Sequence, residues 1–340
     1  MKRKNGEITN YISINEEKKN NGFSKLISNK KNKFSNLFLS FHNLLAQKTV
    51  NSLRPRNYDQ YMTCYTSCVT IQFNSTIEEA LHTLKQHNIS SAPIIKDNQF
   101  YAFIEVKHIV WYILENSNDQ ESYANVQDEI LKYNVGFAVK AHTSSHYIYQ
   151  EFSLFSAYEK ICRNTDINEL AVINYQHNVL NILTKSMILQ FLFQNINILS
   201  NDVLNAFITQ LELSSVFQII HHSKTIFEAF QLIGNNHLIH PLAVVDDKQQ
   251  LTAVLSSRDF ACYFLLKGVS KDIHQKQIKN LGLRKVITVN QKTTFADLLH
   301  LFIQEKIHQV FVINEQNMPI NIITIDDILK FSLPYTSLLS

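Results

Sequence analysis

The chain has 340 residues, 45 % of them hydrophobic and 18 % charged, with a net charge of +3. This leaves room for two domains with sizeable cores and excludes a chain that is disordered throughout. The charge is uneven. Residues 1–50 carry 10 Lys/Arg against 3 acidic residues, +7, and the remainder carries 22 against 26, −4. The body is therefore mildly acidic, which argues against nucleic-acid binding by its folded part.

No apolar run approaches the roughly 18 residues that a membrane span needs. The N-terminus is polar and shows no secretory signal, so the sequons at Asn74 and Asn88 are expected to be idle. Cys64, Cys68, Cys162 and Cys262 are too scattered for a disulfide framework or a zinc site; Cys64 with Cys68 would be half of one, with no second pair. A reducing compartment is expected, cytoplasmic or nuclear. With only six glycines, there is no glycine-rich phosphate loop.

Residues 1–33 are rich in Lys, Asn, Glu and Ser and are expected to be disordered. Over 34–46, Phe34, Leu37, Phe38, Phe41, Leu44 and Leu45 have helical spacing. A basic leader before an amphipathic helix suits a mitochondrial targeting segment or a membrane-surface contact. Glu7, Glu16 and Glu17 are unusual in such a segment, so a helix docked on the body or on a partner is preferred.

From residue 51 one pattern repeats four times. Each copy opens with a short strand, a polar turn and a helix. Thr76, Ser153, Thr225 and Thr294 are the natural N-caps, and Thr76 with Glu79 and Thr225 with Glu228 have capping-box spacing. A second strand follows, at Ile89–Ile95, Ile167–Ile173, Ile239–Val245 and Ile307–Ile313. The copy closes with a third strand running into a second helix. The fourth copy is the clearest: Ile322, Ile323 and Ile325 form the strand-like run, and Asp326 and Asp327 open the helix. The positions matching Asp327 are His108, Met187 and Asp259.

Four copies of a β-α-β-β-α unit predict an α/β repeat architecture. A unit this small cannot bury both faces of its sheet, so the units must pair. The expected division is residues 1–50 as an extension, 51–200 as the first pair and 201–340 as the second. Candidate linkers are Asn116–Asn134, Asn195–Leu211 and Ser270–Gly282.

The pattern resembles the cystathionine-β-synthase (CBS) repeat, paired copies of which form the Bateman module. Four tandem copies over residues 55–332 resemble the γ subunit of AMP-activated/SNF1-type protein kinases, and the Tyr58-Asp59 stretch looks γ-like as well. The resemblance implies two Bateman modules packed as a disk. It implies a non-catalytic subunit that senses AMP, ADP or ATP beside a kinase catalytic (α-like) subunit and a scaffold (β-like) subunit. By resemblance, the ribose Asp falls on Asp259 and Asp327. The hydroxyl three residues earlier falls on Thr184, Ser256 and Thr324, and the phosphate-holding His on His308.

There are departures. His108 and Met187 replace the Asp in repeats 1 and 2, although a non-Asp residue in repeat 2 is itself family-like. Asn168-Glu169 and His308-Gln309 stand where a His-Arg pair is expected. Glu169 beside a phosphate would repel it, by about 1 kcal/mol even in water. Arg258, His240 and Lys185 are the basic residues that could compensate. Asp259 and Asp327 are also good helix caps, His308 also suits a half-buried structural role, and His240 beside Pro241 reads as structural. The adjacent His221 and His222 lack a His-x-x-His pattern with acidic partners, so no metal site is expected, and no nucleophile-base-acid set is recognisable. The alternative is an interaction scaffold that keeps the disk but has lost the nucleotide.

Overall fold

The computed structural model describes residues 38–50, 68–115, 131–139, 146–164, 167–210, 217–235, 241–261, 275–283 and 286–332. Residues 1–33, the Tyr58-Asp59 stretch, Cys64, Cys262 and His240, all singled out above, lie outside them. Among the described residues no helix is long and apolar enough to cross a membrane.

There are four three-stranded sheets, each made of consecutive strands. They are β1–β3 (Ile71–Gln72, Ser91–Lys96, Gln99–Glu105), β4–β6 (Tyr147–Tyr149, Glu169–Ile173, Val179–Thr184), β7–β9 (Gln218–His221, Leu242–Val245, Leu251–Leu255) and β10–β12 (Thr288–Asn290, Gln309–Ile313, Pro319–Thr324). In every sheet the first strand runs parallel to the middle one and the third antiparallel to it. The register shifts at the same place in all four, between Ile94/Ile95, Val172/Ile173, Val244/Val245 and Val312/Ile313. The hairpin turns that follow place Asp97, Asn98, His177, Gln249 and Asn317 at positive φ. Asn and Asp tolerate that region because their short polar side chains bond locally.

The first helices, Ile77–Gln86, Leu154–Arg163, Ile226–Asn235 and Phe295–Gln304, start where the caps predict. Thr76, Ser153, Thr225 and Thr294 each accept from the backbone N–H three residues on. The second helices begin earlier than the sequence suggested. In repeat 4 the strand ends at Thr324, which is the N-cap, and Ile325 is already helical. Asp327 is thus the third residue of the helix rather than its cap. Thr324 and Thr184 hold the cap, and Ser256 plays the same part in repeat 3.

A helix start leaves N–H groups without intrahelical partners. Each first helix finds carbonyls for them in the segment that precedes the other member of its pair. Ile77 and Glu78 donate to Tyr133 and Leu131, and Leu154 to Lys48; Ile226 donates to Lys276, and Phe295 to Ala206. Repeats 1 and 2 therefore exchange their leading segments, as do repeats 3 and 4. The sheets of each pair also meet face to face, Phe103 against Ala171 and Ile173, and Ala243 against Phe311 and Ile322. Hairpin turns join at both rims, with Phe100 N–H on His177 O and Leu251 N–H on Asn317 O, both 2.9 Å. This is a pair of Bateman-type modules built from four CBS-like repeats.

The helices bury their apolar faces across the two modules. Repeats 1 and 3 share one core, in which Phe230 and Phe260 meet edge to face. Repeats 2 and 4 share the other. Residues 39–46 form the helix suggested by Phe38, Phe41 and Leu45, and it docks on the body. Phe38 packs edge-on against Phe295 and Phe331, and His42 Nε2 lies 2.6 Å from the Ser332 carbonyl. Beneath it the fully buried Tyr158 donates to Leu329 O at 2.8 Å.

Candidate functional site

The four second-helix starts are the chemically distinctive part of the molecule. In repeat 4, Asp327 Oδ2 accepts from Thr324 N–H (2.8 Å) and Thr324 Oγ1 (2.7 Å), while Thr324 Oγ1 receives Asp327 N–H (3.3 Å). Repeat 3 repeats this with Ser256 and Asp259, at 2.9, 2.5 and 3.4 Å. Both carboxylates are therefore oriented by their own caps. Asp259 Oδ1 has no hydrogen-bond partner among the described residues. In repeat 2, Thr184 caps Met187 N–H at 3.2 Å and no carboxylate follows. In repeat 1, Glu105 occupies the cap position and His108 is buried beside it, its Nε2 3.6 Å from Glu105 Oε1.

Between these helix starts all four repeats contribute polar groups to the centre. Arg258 donates to Asn88 Oδ1 of repeat 1 and stands beside His308 of repeat 4. Ser186 Oγ of repeat 2 lies 3.3 Å from His308 Nε2. Burial and the Arg258 charge push the His308 imidazole below its ordinary pKa, so at neutral pH it is an uncharged hydrogen-bonding group. Lys185, buried, forms an ion pair of 2.7 Å with Asp326 and donates to Asn168 Oδ1 at 3.2 Å. Its charge is thus spent on an acid of repeat 4.

The remaining central groups belong to repeats 1 and 2. Asn168 Nδ2 donates to Glu105 Oε2 (3.1 Å), which also pairs with Lys107 (2.9 Å). Ser91 Oγ donates to Glu169 Oε2 at 2.6 Å, while Glu169 Oε1 is buried without a hydrogen-bond partner. Burial first, and the neighbouring Glu105 charge second, push the Glu169 carboxyl up to about 8. At pH 7 it holds a proton, which softens the repulsion expected from this side chain.

The predicted residues therefore fall into three groups: Ser256 with Asp259, Thr324 with Asp327, and Arg258 with His308. Thr184 stands apart from any carboxylate. Glu105, Asp326, Ser91 and Asn88 were not singled out for the site; their positions in the repeat register were the only available signal. An open depression of about 320 Å³ beside Phe73, Lys96 and Asp97 lies at the edge of the first sheet, away from these groups. Burial pushes the Cys68 thiol up to about 11, so it stays protonated and is no ready metal ligand.

The chain carries CBS domains. The CBS domain model matches residues 60–115 and 278–334, the first and fourth repeats, and the second and third have the same sheet. In fold the chain is similar to a Methanocaldococcus jannaschii protein proposed as an archaeal homolog of γ-AMPK. That match covers 83 % of this chain and 99 % of the other, with a TM-score of 0.67 and 15 % identity. An uncharacterised conserved protein of Pyrococcus horikoshii aligns over 78 % of this chain and 96 % of its own, with a TM-score of 0.47 and 17 % identity. CBSX2 in complex with AMP aligns over 43 % and 97 %, with a TM-score of 0.33 and 16 % identity. At 15 % identity the likeness to the Methanocaldococcus jannaschii protein is one of fold. No curated protein matches the sequence.

Proposed function

We propose that this chain is a non-catalytic regulatory subunit of the γ type, sensing an adenine nucleotide on behalf of an AMPK/SNF1-like kinase. The observation that carries the reading is the twin Ser/Thr-x-x-Asp helix start in repeats 3 and 4. Two carboxylates, each pre-oriented by its cap, stand where a diol could be held by charge-assisted hydrogen bonds. Repeats 1 and 2 offer neither carboxylate and serve as the structural half.

The centre of the disk refines the ligand. Lys107 and Lys185 are each matched by an acid, His308 is neutral, and Arg258 is the cation not paired with a carboxylate among the described residues. A ligand with one phosphate suits this balance better than one with three, so AMP should bind ahead of ATP. The mechanism is linkage: a nucleotide shifts the kinase only by its differential affinity for two states of the assembly.

Thermal-shift titration with AMP, ADP and ATP tests the binding half, because a ligand selective for the folded state raises the melting temperature. Co-purification with α-like and β-like subunits tests the assignment to a kinase. The self-satisfied caps and central ion pairs favour one competing reading, an interaction scaffold without a nucleotide. A flat titration to millimolar AMP, ADP and ATP, with partners still bound, would select it.

A further inference from the structure

On the rim of repeat 3, away from the helix starts, three metal-ligating side chains converge. His221 ends strand β7, His222 opens the turn after it, and Asp247 lies on the turn between β8 and β9. Neighbouring residues on a continuing strand point to opposite faces. Here the strand stops at His221, and the two imidazoles come together with ring centroids 4.7 Å apart. Asp247 Oδ1 lies 3.2 Å from His221 Nε2 and 3.8 Å from His222 Nε2. The three ligand atoms all fall within 4.8 Å of one another.

We infer that His221, His222 and Asp247 form a binding site for one divalent transition-metal ion of the zinc class. Metal–donor bonds of about 2.0–2.2 Å place neighbouring donors roughly 3–3.5 Å apart in tetrahedral or octahedral geometry, close to the distances seen. Two imidazoles and a carboxylate suit zinc, nickel or copper, whereas magnesium and calcium prefer oxygen.

The supporting bonds are those of a built site. His221 Nδ1 is 2.7 Å from Ser223 Oγ and accepts from Ser223 N–H at 3.4 Å, contacts that orient the ring with Nε2 towards Asp247. His222 N–H donates to Val245 O at 2.8 Å, fixing the strand end against β8. Asp246 Oδ1 accepts from Lys248 and Gln250 N–H, both at 2.9 Å, and so holds the turn that presents Asp247. The side chains of His221 and His222 are 30 % and 23 % exposed and Asp247 86 %, so an ion has access and water can complete its shell. The same β8–β9 turn docks on repeat 4 through Leu251 N–H to Asn317 O and Gln250 Nε2 to Gln316 O. A bound ion would clamp the rim of repeat 3 where it meets its pair.

The test uses the full chain, stripped with a chelator and titrated with Zn²⁺ against a chromophoric competitor. Co²⁺ serves as a spectroscopic stand-in. Since 14 histidines offer adventitious sites, the readout is the difference between variants. His222→Ala and Asp247→Asn should each remove one equivalent or weaken its affinity at least tenfold. Ser223→Ala should weaken it less, and His87→Ala should leave it unchanged. All four lie on turns or at a helix end, and retention of the parent melting temperature without metal would show that the fold is intact. The inference is overturned if parent, His222→Ala and Asp247→Asn bind Zn²⁺ with the same stoichiometry and affinity. It is equally overturned if the Co²⁺ spectrum of the parent is unchanged by either substitution.

Discussion

The two modules share a fold and a pseudo-symmetric pairing, yet they place their central carboxylates at different positions of the repeat. In repeats 3 and 4 the acids are Asp259 and Asp327, at the third position of a helix, where cap groups donate to them. In repeats 1 and 2 they are Glu105, at the cap position itself, and Glu169, at the start of the middle strand. Hydrogen-bond donors at a helix start stabilise an ionised acid, and burial without such donors favours the protonated one. The second module thus presents charge that a ligand can use. The first stores a proton in a seam that holds two repeats together.

The largest test of this contrast is Glu169→Gln. Because the folded carboxyl titrates at about 8 rather than the usual 4.5, the folded state keeps a proton that the unfolded chain releases. The native seam is unpenalised below pH 4.5. It loses stability as pH rises towards 8, by an amount on the order of a few kcal/mol. Gln at this position should raise the melting temperature at pH 8, leave it nearly unchanged at pH 4.5, and flatten the slope between. A variant whose melting follows the parent at every pH would mean that Glu169 is ionised and that the contrast fails.

Lys185→Met comes next. It strands Asp326, one quarter exposed, beside the repeat 2–repeat 4 core. Breaking a buried pair costs about 3–5 kcal/mol, and partial exposure of one partner should reduce this to roughly 2 kcal/mol. Urea denaturation of the full chain measures it, and a cost under about 0.5 kcal/mol would place the pair among ordinary surface contacts.

The binding side of the contrast is sharpened by Asp327→Asn and Asp259→Asn, which keep an acceptor for the cap while removing the charge. Each should weaken AMP at its own site by about tenfold, the equivalent of about 1.4 kcal/mol. His108→Ala and Met187→Ala should leave AMP affinity within about twofold. Calorimetric titration decides: a loss confined to His108→Ala would transfer the site to the first module. The smallest effect belongs to Thr76→Ala, which removes one capping-box partner and should cost about 1 kcal/mol in thermal unfolding without touching AMP.

The four first-helix caps were legible in the sequence because each is a bond spanning three residues, from Thr76, Ser153, Thr225 or Thr294 to the next turn. Residue type and spacing specify such a bond almost alone. The repeat, its succession of strands and helices, and the Ser/Thr three residues before Asp259 and Asp327 followed from the same local pattern. The start of the last helix was misplaced, because Ile325 suits a buried strand as well as a buried first turn.

What lay beyond the sequence joins distant segments. The Ser91–Glu169 bond spans 78 residues, the His42–Ser332 contact 290. Lys185 was read as a cation that could compensate for Glu169 beside a phosphate, but its pairing with Asp326 depends on how repeat 2 meets repeat 4. His221 and His222 were set aside for want of an acidic partner, which the β8–β9 turn supplies across the sheet. Local hydrogen bonding and hydrophobic period write the repeats into the chain. Which acid keeps its proton, which cation is neutralised and which imidazoles meet a carboxylate are decided only when the four sheets and their helices close on one another. Those outcomes depend on burial and distance, and residue order does not carry either.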